Sequence, residues 1–398
     1  MTNTQALLES ASRYMTPNYT PPAFVAARGL GAKLWDTDGK EYLDFSTGIG
    51  VNALGHAHPE VARAIAAQAE KLCHTSNTFY HENYIRMCER LATLAFGGKV
   101  FLANSGTEAV EGAMKMARRY FFERGEARTG FVATVNSFHG RTYGGLTLTG
   151  QPNLQQGFAP LLPDVTHVAY GDLDAMLKAV GPGTAAVIVE PIQGNGGILV
   201  APKGYLQGLR DITQKAGALL IFDEVQTGIG RTGKWFGYQH DSVVPDILTS
   251  AKAIGGGLPL GAFVTTNTIA AALKPYSHAS TFGGNPVACA AGLATLDIIA
   301  RDDLLNHATK MGDLAKQIFA DVSKKHPILK EVRGRGLMLG LALDRPAKPL
   351  QKACLSRGLL ATTAGPNVLR LLPPLIVTSA EMEQAASVIA EAMTDPSV

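Results

Sequence analysis

The sequence is poor in cysteine and in uninterrupted apolar stretches. Its 398 residues include four cysteines, and no two of them have Cys-x-x-Cys spacing, which argues for a reducing compartment and against a disulfide or zinc framework. No apolar run approaches the roughly 20 residues that a membrane-spanning helix needs. The polar segment Met1–Tyr14 resembles neither a signal peptide nor a transit peptide. These features predict a cytoplasmic protein with no membrane partner.

An excess of charge of one sign is also lacking. The 36 Lys and Arg residues nearly balance the 33 Asp and Glu residues, and no basic block occurs, so nucleic acid is not a predicted partner. His56 and His58 stand close together, but no further ligand follows at a suitable spacing, which favours a structural turn over a metal site. A hydrophobic content of 46% is typical of a globular protein with a sizeable core.

Short runs that are apolar throughout recur along the first 250 residues, each followed by a polar or glycine-containing loop. They are Val100–Ala103, Phe131–Val135, Ala185–Val189, Ala218–Phe222 and Ile247–Thr249. Such runs predict strands buried on both faces of a mostly parallel sheet. Helical periods lie between them, as in Glu108–Phe122 and Lys203–Lys215, so we predict an α/β fold. Ligands of such sheets bind beyond the carboxyl ends of the strands.

The last hundred residues have a different pattern. Three segments have a helical period: Gly292–Ile299, Asp302–Ser323 and Ala380–Met393. Two short runs resemble strands: Gly336–Leu343 and Val368–Leu371. A chain of this length has room for about two domains. We therefore predict a large domain over 51–290, a smaller α+β domain over 291–398, and an amino-terminal segment, 1–50, that joins the small domain.

Asp223 and Lys252 share one chemical explanation. Asp223 ends an apolar run, and Lys252 stands among small and apolar residues just before Gly255-Gly256-Gly257. Desolvation lowers the pKa of such a lysine and makes its neutral amine available for imine formation with an aldehyde. Pyridoxal phosphate needs a lysine Schiff base at its aldehyde and a carboxylate at its pyridinium nitrogen. The pair therefore predicts pyridoxal 5′-phosphate as the cofactor.

A phosphate site is predicted at Ser105-Gly106-Thr107, which opens a helix directly after a strand. Free backbone N–H groups and two hydroxyls converge there, at the positive end of the helix dipole. Taken without a partner motif, the same three residues fit an ordinary helix cap, with Glu108 in the first turn.

A nucleotide-binding loop is the competing interpretation. Residues 228–234 fit the pattern Gly-x-x-x-x-Gly-Lys. The next residue is Trp235, where that motif needs Ser or Thr for magnesium, and no helical period follows. We therefore interpret the match as a coincidence.

Longer motifs, in a fixed order, carry a family resemblance. From about Pro21 to Val377 the chain resembles the class III aminotransferases of fold type I, and among them those that act on acetylornithine. The motifs are Gly50–His56, Asn104–Ala109, Phe138–Thr142, Val189–Gly194, Phe222–Gly228, Ser280–Pro286 and Leu369–Leu371.

The resemblance implies a set of cofactor contacts. Lys252 would hold pyridoxal phosphate and then act as the general acid/base, and Asp223 would pair with the pyridinium. Gln226 would hydrogen-bond the phenolic oxygen, and Phe138 would stack on the ring face. The phosphate would be bound by Ser105, Gly106 and Thr107. Thr281 of the partner subunit would complete the phosphate site, which implies a homodimer with two shared active sites.

The resemblance also implies the substrates, which are amino acids and 2-oxo acids. Arg141 would bind the carboxylate far from the reacting carbon, and Arg370 the α-carboxylate of glutamate, a bidentate task suited to arginine. Ser280 would touch the substrate. The implied reaction moves the terminal amine of an ω-amino acid, N-acetylornithine first among them, to 2-oxoglutarate by a ping-pong mechanism.

Asn195 departs from the family pattern, which has glutamate directly after Gln-Gly. That glutamate pairs with the equivalent of Arg370 when the substrate brings no α-carboxylate to the reacting carbon. Asparagine accepts a hydrogen bond but cannot neutralise a guanidinium. Other donors, namely ornithine, 4-aminobutyrate or an α-amino acid, therefore stay open, as do a racemase, lyase or aminomutase and a degenerate regulatory protein. The pair Arg141 and Arg370 disfavours the other enzymes, and the presence of Lys252 and Asp223 disfavours degeneracy.

Overall fold

The computed structural model describes residues 3–398. Its strands, in chain order, are β1 Ala26–Leu30, β2 Lys33–Asp36, β3 Glu41–Asp44, β4 Lys99–Ala103, β5 Gly130–Thr134, β6 Val165–Val168, β7 Thr184–Val189, β8 Ile192–Gln193, β9 Leu199–Val200, β10 Leu219–Asp223, β11 Ile247–Ser250, β12 Gly261–Thr265, β13 Leu329–Arg335, β14 Met338–Leu343, β15 Leu359–Leu360, β16 Thr362–Ala364 and β17 Val368–Leu371.

Helices connect and cover these strands. They are α1 Asn3–Tyr14, α2 Thr47–Gly50, α3 Pro59–Lys71, α4 Glu82–Leu94, α5 Gly106–Glu123, α6 Tyr143–Leu148, α7 Pro152–Gln155, α8 Leu173–Ala179, α9 Tyr205–Ala216, α10 Asn267–Ala270, α11 Pro286–Arg301, α12 Leu304–Lys325, α13 Ala347–Ser356 and α14 Ser379–Ala392. Short 3₁₀ turns span Ser76–Thr78, Gly237–His240 and Lys252–Gly255. None of the helices over residues 3–398 is long and apolar enough to span a membrane.

A seven-stranded sheet in the order β4-β12-β11-β10-β7-β5-β6 forms the centre of the fold. Its strands are parallel except β12, which runs antiparallel to both of its neighbours. Every residue of β7, β10 and β12 is buried, as expected for strands covered on both faces. Because the parallel strands end at one edge, the loops that follow them converge there.

Two smaller sheets are built from strands that come before and after the central sheet in sequence. One has the order β13-β14-β17-β16 and is antiparallel. The other, β1-β2-β3-β15, pairs β3 with β15 in parallel, Leu43 beside Leu359. The amino-terminal segment is therefore hydrogen-bonded to the carboxyl-terminal hundred residues.

The predicted α/β class and mostly parallel sheet are confirmed. Each of the five predicted strands of the central sheet is present within one residue of its predicted ends. Two strands of this sheet were not predicted: the edge strand β6, which is only partly buried, and β12, which follows a glycine-rich loop. The predicted boundary between 290 and 291 falls inside α11, so no loop marks it, and the division into domains stays a prediction.

The segment that imitates a nucleotide-binding loop forms turns and then the 3₁₀ turn Gly237–His240 instead of an α-helix. Its Arg231 side chain is buried and donates from Nη1 to the Leu337 carbonyl at 3.1 Å. This segment therefore contacts the turn between β13 and β14.

Candidate active site

A cavity of about 460 Å³ lies where the loops after β4, β5, β7, β10 and β11 converge. A volume of this size is typical of sites for small molecules and cofactors. Eight of the residues singled out in the sequence line it together: Ser105, Gly106, Thr107, Phe138, Arg141, Asp223, Gln226 and Lys252.

Lys252 is the lysine of this cavity. It follows β11 and has a backbone φ of 52°, in the left-handed region that costs a non-glycine residue free energy and that is common at functional sites. Burial, together with the nearby Arg370 guanidinium, lowers the pKa of its ammonium group to about 8, against the opposing effect of the Asp223 and Glu190 carboxylates. A larger share of Lys252 is therefore neutral, and nucleophilic, near physiological pH than of an ordinary lysine.

Asp223 is the last residue of the neighbouring strand β10, and 4% of it is exposed. Its Oδ2 lies 2.7 Å from Nδ1 of the buried His139, and its Oδ1 accepts from the Thr249 hydroxyl and the Val225 amide, both at 3.1 Å. These contacts fix the orientation of a buried carboxylate that lines the same cavity as Lys252.

The amino terminus of α5 closes another side of the cavity. Ser105 caps the helix, since its hydroxyl accepts from the Glu108 amide at 3.2 Å. The residue therefore has the capping role that the sequence allowed, and it also lines the cavity. A Cβ at Gly106 would lie 2.8 Å from the Val225 side chain, which excludes a larger residue. The first amides of α5 have no partner within the helix, and they lie beside the cavity with the Thr107 hydroxyl.

Phe138 and Arg141 come from the loop after β5. The Phe138 ring is half-buried, and the exposed Arg141 guanidinium lies 5.6 Å from its centroid. The structure therefore places an aromatic face and a cation on the same side of the cavity.

Arg370 and Asn195 line an adjoining cavity of about 510 Å³ instead. Arg370, on β17, donates to Asn195 Oδ1 at 2.8 Å, to Thr362 Oγ1 at 3.0 Å and to Gln226 Oε1 at 3.3 Å. Because Gln226 also lines the first cavity, its side chain connects the two. Burial lowers the pKa of Arg370 to about 10, against the opposing effect of the Glu190 carboxylate.

Each hydrogen-bonding partner of Arg370 is neutral. Arg370 is 4% exposed, and none of the ion pairs found over residues 3–398 includes it. A buried cation whose hydrogen-bonding partners include no carboxylate is unfavourable, and the Glu190 carboxylate, which does not hydrogen-bond to Arg370, offsets its charge only in part. Arg370 is therefore prepared to bind an anion.

Ser280 and Thr281 lie beside the site rather than in it. The Ser280 hydroxyl accepts from Asn104 Nδ2 at 3.3 Å, and Asn104 lines the first cavity. Thr281 lines a separate small cavity with Phe282 and Gly283. Their predicted contacts with substrate and with the partner's phosphate site stay predictions.

Two functional candidates escaped the sequence analysis. His139, within the motif Phe138–Thr142, contacts Asp223 across 84 positions of the chain, and Glu190 lines the cavity with its carboxylate buried. Both belonged to quoted motifs, so the signal was present, but their partners depend on how the strands assemble.

The residues of the first cavity fit pyridoxal phosphate. They supply a lysine with a lowered pKa, a buried carboxylate at the end of the adjacent strand, free helix amides and an aromatic face, all around one space. These are the groups that bind, respectively, an aldehyde, a pyridinium, a phosphate and a conjugated ring.

Comparison with known proteins identifies the class. Residues 14–393 match the family "Aminotransferase class-III". The chain is 51% identical to an acetylornithine aminotransferase of Streptomyces coelicolor over 90% of this chain and 88% of the relative. It is 44% identical to a succinylornithine transaminase of Salmonella paratyphi B over 94% and 93%. The solved ornithine aminotransferase of Toxoplasma gondii superposes with a TM-score of 0.94 at 32% identity, over 99% of this chain and 95% of that structure.

The chain belongs to the class III aminotransferases. Enzymes of this family depend on pyridoxal phosphate, so the cofactor predicted from Lys252 and Asp223 is confirmed at the level of the family. The similar proteins act on ornithine or on its acylated forms, as their names state.

Proposed function

We propose that this enzyme transfers the terminal amine of N-acetylornithine to 2-oxoglutarate. The observation that carries the proposal is the joint placement of Lys252 and Asp223 around one cavity that also holds Arg141. The similarity to acetylornithine aminotransferases, and to a succinylornithine transaminase, supports an ω-amine of an acylated ornithine as the donor.

Three groups would hold pyridoxal phosphate. Lys252 would bind it covalently, Asp223 would pair with its ring nitrogen, and the first turn of α5 would bind its phosphate through the amides of Gly106 and Thr107. When bound, the cofactor accepts the electrons released as a proton leaves the substrate carbon. His139 supports Asp223 in this role, because the hydrogen bond to Nδ1 restrains the carboxylate.

Lys252 would also move the proton. With the substrate bound, the free Nζ amine of Lys252 would take the proton from the carbon that bears the substrate nitrogen. Its lowered pKa, about 8, favours the neutral form that this step needs. The same group would give that proton back within the same half-reaction, and it would make the transfer in the reverse direction in the second half of a ping-pong cycle.

The two arginines would orient the substrates. Arg141, in the cavity of Lys252, would bind the carboxylate distant from the reacting carbon in both half-reactions. Arg370, behind Gln226, would bind the α-carboxylate that only glutamate and 2-oxoglutarate bring close to the reacting carbon. Ser280 would contact the substrate through its hydroxyl.

A homodimer in the cytoplasm is part of the proposal. Thr281 does not line the cavity of its own Lys252, which agrees with a role at the partner's phosphate site. Light scattering should give twice the monomer mass. A monomer that transfers amines at full rate would contradict the shared site.

Asn195 favours a second candidate, an α-amino acid as the preferred donor. Its Oδ1 satisfies one N–H of Arg370 but brings no negative charge. An α-amino acid supplies its own carboxylate to this guanidinium, whereas N-acetylornithine brings only a CH₂ group beside it.

A donor screen decides between the candidates. Purified enzyme is mixed with 2-oxoglutarate and, separately, N-acetylornithine, N-succinylornithine, ornithine, 4-aminobutyrate or alanine, and glutamate formation is measured. The matched control is Lys252→Ala, which lacks the reactive amine. We expect the highest kcat/KM for N-acetylornithine. Transfer from alanine alone would establish the second candidate, and no transfer from any donor would refute both.

A further inference from the structure

Glu190 places a buried carboxylate at the cavity, and this carboxylate has no role in the reaction described above. It directly follows β7, and 5% of it is exposed. Burial raises its pKa to about 6, against the opposing effect of His139 and with a smaller contribution from the nearby Asp223. An unpaired acid in this position is costly, so its contacts must account for its presence.

The two oxygens of Glu190 bind two different loops. Oε1 accepts from the backbone amide of Phe138 at 3.1 Å, and Oε2 accepts from the backbone amide of Gly194 at 3.0 Å. The first amide belongs to the loop that carries the aromatic face of the cavity. The second precedes Asn195. One side chain thus joins loops that are 52 and 4 positions away from it in sequence.

The Gly194–Asn195 loop reaches the remaining parts of the site. A Cβ at Gly194 would lie 2.7 Å from Gln226 Nε2, so the loop packs directly on the side chain that connects the two cavities. Asn195 accepts from Arg370 through its side chain and from the Gly365 amide through its carbonyl, both at 2.8 Å. A shift of this loop would therefore move an acceptor of Arg370.

We infer that Glu190 is a positioning residue, which holds Phe138 against the cofactor site and Asn195 against Arg370. Two acceptor oxygens on one side chain are required, because the two donors are backbone amides of separate loops. A glutamine offers one oxygen and an NH₂ group, so one amide would face a donor and lose its hydrogen bond. This inference rests on the proposed roles of Phe138 and Arg370.

Glu224 provides a matched control. It is also fully buried, and its two oxygens accept from the backbone amides of Gly237 at 2.8 Å and Tyr238 at 2.7 Å, and from the Thr227 hydroxyl. It does not line the cavity. Glu190→Gln and Glu224→Gln therefore make the same chemical change, one at the site and one in the packed interior.

The test compares the two variants by two measurements. The first is the affinity of the apoenzyme for pyridoxal phosphate, by equilibrium dialysis, which needs no amino donor. The second is the single-turnover rate with glutamate at subsaturating concentration. Loss of one buried hydrogen bond should weaken cofactor binding about tenfold in Glu190→Gln and slow the glutamate half-reaction by a similar factor. Glu224→Gln should lower the melting temperature but change neither the cofactor affinity nor the rate of the glutamate half-reaction.

Glu190→Asp distinguishes the effect of the hydrogen bonds of Glu190 from the effect of its negative charge. Aspartate keeps the carboxylate but is one methylene shorter, so it cannot reach both amides, and we expect it to be impaired like Glu190→Gln. Full cofactor affinity and glutamate rate in Glu190→Asp, or in Glu190→Gln, would overturn the inference. Equal impairment of Glu190→Gln and Glu224→Gln would also overturn it, because the effect would then be one of packing.

A measurement on the unmodified apoenzyme covers the case in which the variants do not fold. Hydrogen exchange of the Phe138 and Gly194 amides should be as slow as that of the Gly237 and Tyr238 amides. Rapid exchange at either of the first two would refute the two hydrogen bonds. Failure of the proposed function is distinguishable, since an enzyme inactive with every ω-amine can still show the predicted cofactor affinities and exchange rates.

Discussion

Replacing Asn195 with glutamate would put a carboxylate beside Arg370, whose present partners are neutral. Arg370 is 4% exposed, and Asn195 Oδ1 lies 2.8 Å from its Nη1. A charge pair about 4 Å apart is worth about 4 kcal/mol at an effective dielectric constant of about 20. Desolvation of the new carboxylate offsets part of this gain, so we expect a net effect of about 2 kcal/mol, roughly 30-fold in a rate ratio.

The direction follows from which substrate brings a carboxylate to Arg370. In Asn195→Glu the guanidinium is neutralised when N-acetylornithine is bound, whereas the α-carboxylate of glutamate must displace the new side chain. The ratio of kcat/KM for N-acetylornithine to that for glutamate should therefore rise about 30-fold. Stopped-flow absorbance of the two half-reactions measures each constant separately.

The control for this variant is Asn153→Glu. Asn153 is exposed and lines the same cavity as Arg370, so the control adds the same charge without replacing an acceptor of that guanidinium, and its ratio should stay within about threefold of wild type, the scale of a screened surface charge. An unchanged ratio in Asn195→Glu would refute the reasoning. Asn195 would then mask Arg370 as well as glutamate does, and the acetylornithine assignment would need no qualification.

Three further predictions concern the remaining charged groups. Asp223→Ala should still bind pyridoxal phosphate, but its chemical step should slow by about 100-fold or more; near-normal turnover would exclude the pyridinium role. Arg141→Ala should weaken both half-reactions, whereas Arg370→Ala should damage mainly that of glutamate, each by about 2–5 kcal/mol where the partner charge is desolvated; equal damage by both in single-turnover spectra would refute this division. Because the pKa of Lys252 is lowered to about 8, the rate at which apoenzyme recombines with the cofactor should rise with pH up to about 8 and then level off; a rise that continues to pH 10, read from absorbance, would contradict the lowered pKa.

Five of the seven strands of the central sheet could be predicted, because burial on both faces gives an apolar residue at nearly every position of the strand. Runs such as Ala185–Val189 are apolar at every position, and β7 is buried at every position. The antiparallel β12 has no comparable mark, since it follows Gly255-Gly256-Gly257 and begins with another glycine, Gly261. Strand direction depends on the path of the connecting loop, which apolar periodicity does not specify.

Only those site residues could be predicted whose residue type and local sequence already indicate a chemical role. Lys252 and Asp223 were found because a desolvated lysine and a strand-end acid have a joint use. The contacts of His139 and Glu190 could not be found in this way, because their partners Asp223 and Phe138 lie 84 and 52 positions away. The place of Arg370 in an adjoining cavity, behind Gln226, also depends on the contact between β17 and the loop after β10.

Covalent attachment of the cofactor to Lys252 tests the account most directly. The purified enzyme should be yellow. Reduction with borohydride should fix pyridoxal phosphate on a single peptide, which mass spectrometry identifies by digestion and sequencing. We expect the label on Lys252, and we expect Lys252→Ala to carry none and to lose nearly all turnover. A label on any other lysine, or full turnover without Lys252, would contradict the assignment of the active site.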